Sequence, residues 1–305
     1  MVDMYRKVIE HPEWIPDEIE KTLDLEAGKD QGRIYRISKE GVKTQFNVDQ
    51  FKTQEGLVKS LRHSNQWVRN TAHRLLIDQT LTNGTLDQLK AGLLAESDFA
   101  KLHSLWILSI KKELKEDALL AAMQDASPNI RESALLIAEQ EMNSNPKFAE
   151  AGLVLLSDSD SRVRMQAALS LSTLEQEKLT ELKSEVLNAI QTAATLPSDD
   201  WNLAAFTLAA GTYAPDLLTT LLATPSPQIP DQFLSSLALA SAKNENDAKT
   251  VLQALEDSDI QMSAKRQIIK QFTLGLEQVS SKDLEPYIQT LEKSGDLGLI
   301  SELAL

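Results

Sequence analysis

The chain has 305 residues, of which 42% are hydrophobic and 25% charged, a composition typical of globular proteins. It contains no cysteine, which excludes disulfides, thiolate metal sites, cysteine nucleophiles and covalent haem attachment within the chain. Residues 1–74 carry 13 Lys and Arg against 12 Asp and Glu, so residues 75–305 hold the remaining 18 against 33. Because that field repels phosphate backbones and anionic membrane surfaces, we expect no nucleic-acid partner.

Membrane and export segments are not expected from the sequence. No run approaches the roughly 18 apolar residues of a membrane span, and the residues after Met1 lack the apolar stretch of a signal peptide. The sequence therefore predicts neither membrane insertion nor a signal peptide in this chain. The apolar end, residues 297–305, would cap a helical array poorly, so we expect the natural polypeptide to continue.

Residues 1–40 differ in pattern from the rest. Parts of residues 2–10 and 32–37 alternate polar with apolar side chains and favour two strands, and residues 17–23, opened by Pro16, favour a short helix. Two strands alone are marginal in water, so this segment is expected to belong to a larger sheet. Residues 41–52 are predicted to be a linker.

Beyond the linker, one pattern recurs seven times. A polar helix cap is followed three residues later mostly by an apolar residue and seven residues later mostly by a small one, and successive caps are 32, 30, 33, 38, 28 and 31 residues apart. This period predicts a helical solenoid over residues 53–305, built of helices too short to be stable alone. The predicted caps are Asn65, Ser97, Ser127, Asp160, Ser198, Ser226 and Asp257.

A ladder of cations stands four residues after the first four caps: Arg69, Lys101, Arg131 and Arg164. Stacked along one face, they could bind an anionic ligand. In the alternative that we favour, each bonds the preceding turn, where Asp125 and Asp158 are available, and holds repeat to repeat. The acidic surroundings support this structural interpretation.

Other candidate sites are weaker. The run 157–161 resembles a calcium loop but lacks its central glycine and bidentate Glu, and Asp160 is needed as a helix cap. Histidines 73 and 103 fall close in register, so they could converge on a metal, although hydrogen-bonded or solvated histidines, His63 included, are commoner. Tryptophans 67, 106 and 201 are interpreted as packing anchors.

No phosphate loop, nucleophile elbow or zinc motif occurs, so no catalytic, cofactor-binding or metal-binding residue is assigned and we expect no enzyme activity from this chain alone.

The repeats resemble HEAT repeats of the PBS-lyase type, most clearly at residues 125–134 and 158–167, where Asp-Ser-x-x-Val-Arg-x-x-Ala is nearly reproduced. The resemblance covers about residues 53–280. It implies an all-α, right-handed α-solenoid of about seven HEAT-like helical hairpins, preceded by a short N-terminal β-hairpin segment. Such a resemblance specifies the fold well and the function poorly.

The N-terminal segment resembles a more specific family. Residues 3–12, 14–16 and 27–37 look like the end of the β-propeller in bacterial membrane-bound dehydrogenase proteins, and residues 61–72 resemble the family's entry into its HEAT repeats. The family's propeller is similar to sugar dehydrogenases that use pyrroloquinoline quinone (PQQ), and a c-type cytochrome domain usually follows. The resemblance implies a periplasmic protein whose PQQ and haem c belong to flanking domains, with residues 1–40 ending the propeller.

Three functions are therefore compared. The first is a non-catalytic scaffold that spaces the sugar dehydrogenase-like propeller from the cytochrome c domain in one polypeptide. The second is a stand-alone protein-protein interaction scaffold that binds a basic partner through an acidic face. The third, which the sequence supports least, is a bilin lyase-like HEAT protein. In the first two, the partner is a protein or an adjacent domain.

Overall fold

The computed structural model describes residues 2–3, 5–6, 8, 12–35, 40–41, 47–242 and 245–275. Internal contacts divide the chain into two units, Met1–Val48 and Asp49–Leu305. The boundary between them lies inside the segment 41–52 that the sequence predicts to be a linker. The predicted last helix, residues 281–293, and the apolar end lie outside the described residues.

The N-terminal unit contains a small antiparallel sheet. Strand β1 (Val2–Asp3) pairs with β2 (Arg33–Ile34), so that Val2 is opposite Ile34. Helix α1 (Asp17–Glu20) begins after Pro16 and is shorter than predicted. At Gly28 the chain turns with a φ of 81°, and a Cβ atom there would collide with the backbone carbonyl of Tyr5. Only glycine therefore fits this turn.

The second unit is a series of helical pairs. Each repeat consists of a first helix, a turn and a second helix. Five repeats have one helix of each kind: α2 (Gln54–Ser60) with α3 (Gln66–Ile77), α4 (Asn83–Gly92) with α5 (Asp98–Ile110), α6 (Glu116–Ala122) with α7 (Pro128–Ala138), α8 (Pro146–Leu155) with α9 (Ser161–Leu171), and α13 (Ala214–Ala223) with α14 (Asp231–Ser241). Repeat five combines α10 (Gln176–Glu181) and α11 (Lys183–Ala193) with α12 (Asp200–Ala210), and repeat seven combines α15 (Glu245–Asp257) with α16 (Met262–Gly275).

These pairs form two layers. Each second helix packs on the second helix of the next repeat, in the order α3, α5, α7, α9, α12, α14, α16. First helices also contact one another, as α2 with α4, α8 with α11, α11 with α13, and α13 with α15. Between the layers lies the hydrophobic core, which runs from Leu105 to Phe272, with a smaller cluster in repeats one and two. The all-α solenoid predicted from the repeat is confirmed, because each short helix buries its apolar face against neighbouring repeats.

One predicted helix is broken. A continuous helix is predicted over residues 179–194, but Leu182 adopts φ −99° and ψ 12° and separates α10 from α11. This break could not be predicted from the sequence, because Leu179, Val186 and Ile190 fit the apolar face of an uninterrupted helix. All three side chains are buried in the structure.

Four predicted caps occupy the N-cap position. The side chain of Asn65 accepts from the Trp67 amide, and that of Asp160 accepts from the amides of Arg162 and Val163. Ser97 and Ser127 have extended cap backbones without a side-chain bond to their helices. These two serines therefore mark the helix start by conformation alone.

The other three predicted caps are wrong. Helix α12 is capped by Asp199 rather than Ser198, because its carboxylate accepts from the Asn202 amide in a capping box. Ser226 lies in a turn, and α14 begins after Pro230, which cannot donate the hydrogen bond that a helix interior requires. Asp257 is the last residue of α15, because that helix runs beyond its predicted end, residue 255.

Candidate functional site

The cation ladder fastens each second helix to the turn before it. The Nη1 group of each arginine donates to two carbonyl oxygens that lie five and six residues earlier: Arg69 to His63 and Ser64, Arg131 to Asp125 and Ala126, and Arg164 to Asp158 and Ser159, at 2.7–3.3 Å. The guanidinium thereby satisfies carbonyls at the end of the preceding turn.

The ladder also joins neighbouring repeats, and here the structure differs from the expectation. The carboxylates come from the following repeat rather than from the preceding turn. Lys101 Nζ lies 2.7 Å from Asp125 Oδ2, and Arg131 donates from Nε and Nη2 to the two oxygens of Asp158, each at 2.7 Å. Arg164 instead donates Nη2 to the carbonyl of Pro197.

The two ladder carboxylates are held in their charged form. Burial alone would raise the pKa of Asp158, but hydrogen bonds from the Arg131 guanidinium and the Asp160 amide outweigh it, so its pKa lies below the usual range. The pKa of Asp125 is also lowered, because hydrogen bonds from Lys101 and the Ser127 amide outweigh the opposite effect of burial. Both carboxylates therefore stabilise the fold, and neither is free to act as a base.

The acidic run 157–161 is occupied in the same way. Asp158 is bound by Arg131, and Asp160 caps helix α9, so its two carboxylates already have partners within the chain. Within the described residues there is no group of three or more His, Cys, Asp or Glu side chains that could hold a metal ion.

Histidines 73 and 103 meet between repeats one and two. Their Nδ1 atoms are 3.1 Å apart and hydrogen-bonded, so in the neutral pair one Nδ1 donates and the other accepts. Burial lowers the pKa of both; for His103, burial together with the charges of His73 and Arg69 lowers the pKa to about 4. The third candidate, His63, is exposed and its Nδ1 accepts from the Asn65 amide.

We expect this pair to make stability depend on pH. Between pH 6.5 and 4 the unfolded chain binds more protons than the folded one, because the pKa of His103 is lowered on folding, so stability falls as pH falls through this window. The full shift corresponds to roughly 3 kcal/mol, and solvent screening of the partly buried ring reduces this to about 1–2 kcal/mol. Urea unfolding at pH 7 and 4.5 measures it.

His103→Gln should remove most of this pH dependence, whereas His63→Gln should keep it. The lowered pKa values of Asp125 and Asp158 act only at more acidic pH, near and below their ordinary range. Equal pH dependence in His103→Gln and the wild-type protein would contradict the assignment.

Two of the three tryptophans are not packing anchors. Trp67 and Trp201 are 61% and 76% exposed, whereas Trp106 is half-buried against the core. The error at Trp201 follows from the cap: counted from Ser198 it falls on the buried third position, but counted from Asp199 it falls on the second position, as Trp67 does. The exposed tryptophans therefore belong to a solvent-facing surface.

That surface follows the register of the second helices. Positions two, five and nine after the observed cap lie on one side of each helix, and we call this side the second-helix face. Its ninth position is apolar in five successive repeats and exposed or half-buried in each: Trp106, Leu136, Leu169, Leu208 and Leu239. Since these helices pack side by side in the same order, the five side chains form a row across the repeats.

Repeats five and six carry no charge at the three positions of this face. The residues there are Trp201, Ala204, Leu208, Gln232, Ser235 and Leu239. Leu208 and Leu239 line a groove of about 580 Å³, and Gln267 and Gln271 line it as well. All the side chains that line the groove are uncharged, in a protein whose net charge is −14. Neutral, partly apolar strips of this kind are common at protein-protein contact surfaces.

Among the helices that the structure describes, none is long and apolar enough to cross a membrane.

Comparisons with known proteins add little beyond the fold. Residues 1–41 match a family described as a domain of unknown function, DUF7133. No curated protein matches the chain. The karyopherin Kap121p, solved with the extreme C-terminus of the phosphatase Cdc14p, is 12% identical, with a TM-score of 0.49 over 82% of this chain and 32% of the karyopherin. The Escherichia coli protein YibA is 14% identical, with a TM-score of 0.45 over 86% and 97% of the two chains.

This chain therefore spans about a third of the karyopherin's length. Because the identities and TM-scores are low, these likenesses assign no partner and no activity to it.

Proposed function

We propose that this chain is a non-catalytic scaffold that binds a protein through the second-helix face. The observation that carries the proposal is the row of apolar side chains at the ninth position in repeats two to six, from Trp106 to Leu239. A solenoid gains nothing in its own stability from leucines that remain exposed, whereas a partner that covers them gains about 25 cal/mol per Å² of apolar surface.

The chemistry of the described side chains agrees with a binding role. The ladder carboxylates are ion-paired and the histidine pair is hydrogen-bonded. The chain has no cysteine through which haem could be attached covalently. The groove in repeats five to seven instead offers leucines and glutamine amides, which suit the apolar side chains and backbone of a bound peptide.

Photo-crosslinking tests the binding face. We expect p-benzoylphenylalanine at position 208, incorporated in the source cells, to form an adduct of discrete mass on irradiation. The same group at position 154 on helix α8, where Val154 is also strongly exposed, should form none. Leu239→Glu combined with the probe at 208 should abolish the adduct, because a charge would enter the neutral groove. Equal adducts at 208 and 154 would refute the assignment of the face.

More specifically, we propose that the partner is an adjacent part of one periplasmic polypeptide, in which this scaffold spaces a sugar dehydrogenase-like propeller from a cytochrome c domain. PQQ and haem c would then belong to those domains. The separate N-terminal unit and the family match confined to residues 1–41 support a domain of different kind before the repeats.

The native product, isolated with an antibody against the repeats, distinguishes the two arrangements. A longer polypeptide with haem absorption and an intramolecular crosslink from position 208 is expected for the spacer. A colourless product of 33.8 kDa, crosslinked to a separate protein, would overturn the spacer and retain the scaffold.

A further inference from the structure

Arg69 is a buried cation without a carboxylate. Its side chain and backbone together are only 7% exposed, and its Nη1 is satisfied by the two carbonyls of the preceding turn. Its Nε has no hydrogen-bond partner, and its Nη2, which also has none, still reaches solvent. Among the described residues no acidic side chain pairs with it. A buried charge left in this state is costly, and a carboxylate would relieve that cost.

The missing carboxylate can be located by comparison with the other ladder cations. Lys101 and Arg131 pair with Asp125 and Asp158, each of which stands two residues before the cap of the following repeat. For Arg69 the equivalent position is Ala95, two residues before Ser97. Arg164 also lacks a carboxylate, but its Nη2 is taken by the Pro197 carbonyl. Arg69 is therefore the arginine of the ladder whose outer edge keeps a donor open to solvent.

An aromatic ring packs against this guanidinium. The ring of Phe99 lies 3.7 Å from the guanidinium carbon and is itself 45% exposed, and the exposed Trp67 stands at the same helix position in repeat one. Both belong to the second position of the second-helix face. Of the nearby acids, Asp98 accepts from Ser127, and neither it nor Glu96 pairs with Arg69. An incoming carboxylate would thus meet a cation beside the partly exposed ring of Phe99.

We propose that this place binds an acidic side chain of a protein partner, flanked in the partner's sequence by apolar residues. The partner carboxylate occupies at Arg69 the place that Asp158 occupies at Arg131, and its apolar neighbours cover the exposed part of the Phe99 ring. The inference rests on the proposed function as a protein-binding scaffold and adds the chemistry of one contact. A chain with a net charge of −14 can bind an acidic segment in this way, because the partner carboxylate is attracted by the nearby Arg69 guanidinium.

Two blocked peptides test it on the full chain. Ac-Leu-Asp-Leu-NH₂ should shift the Arg69 Nε–Hε NMR signal in a saturable way, while Ac-Leu-Asn-Leu-NH₂, which has the same shape without the charge, should bind at least about tenfold more weakly. The signal is assigned to Arg69 by its absence from the spectrum of Arg69→Gln.

Ala95→Asp supplies the internal carboxylate that repeats three and four possess. We expect this variant to raise the urea midpoint and to lose peptide binding, whereas the isosteric Ala95→Asn should bind the Asp peptide as the wild type does. Equal binding of the two peptides, unchanged binding by Ala95→Asp, or no saturable shift would each overturn the proposal. The crosslinking result at position 208 does not depend on this contact, so the two can fail separately.

Discussion

Asp158→Ala should lower the free energy of unfolding by about 3–4 kcal/mol, one of the largest losses that any single ladder substitution can cause. Its two oxygens accept from Arg131 Nε and Nη2 at 2.7 Å, and the side chains of the two residues are only 8% and 12% exposed. Removing the carboxylate leaves the guanidinium buried without its counter-ion. It also removes the acceptor for the Asp160 amide at the start of α9.

A matched ion pair on the surface provides the control. Glu116 Oε1 lies 2.6 Å from Lys147 Nζ and also links two repeats, but these side chains are 39% and 61% exposed. Glu116→Ala should therefore change stability far less, since water replaces the lost partner. Urea unfolding followed by circular dichroism measures both variants. Comparable losses in the two would show that the ladder stabilises the array through backbone contacts rather than through its buried charges.

The period of the repeat allowed most of the solenoid to be predicted, because the mostly apolar third position and the mostly small seventh position after a cap must face the core. The same counting failed where the cap was misplaced. Taking Ser198 instead of Asp199 moved Trp201 from the exposed second position to the buried third, so a surface residue was interpreted as a core residue. A shift of one residue along a helix turns a side chain by about 100°.

The partners within the ladder were harder to predict. Asp125 lies near Arg131 in sequence, and Asp158 near Arg164, so local pairing was the natural expectation. In the structure, the backbone carbonyls of that turn fill the near side of each guanidinium, and the carboxylate that Arg131 binds comes from the next repeat, 27 residues on. The sequence already shows Asp125 and Asp158 two residues before their caps and Ala95 at the equivalent position. That Ala95 leaves Arg69 without a carboxylate could be inferred only once the structure showed which repeat supplies the acid.

The aromatic core between repeats five and six gives the second large effect: Phe206→Ala should cost about 3–5 kcal/mol. Phe206 is fully buried on α12, and its ring meets that of Phe233 on α14 edge-on, with centroids 6.3 Å apart. The cavity left by the ring cannot close without moving one helix layer against the other. Because a solenoid is held by nearest-neighbour interfaces, the loss should be local, with faster amide exchange in α12 and α14 and little change in α3.

Leu208→Ala, two residues further along the same helix, is the matched control. Leu208 is 58% exposed on the second-helix face, so its truncation should alter stability by no more than about 0.5 kcal/mol. Losses of similar size in both variants would mean that Leu208 supports the fold and is not available to a partner. A large loss at Phe206 with none at Leu208 separates the two sides of α12, one that holds the repeats together and one whose apolar surface faces solvent.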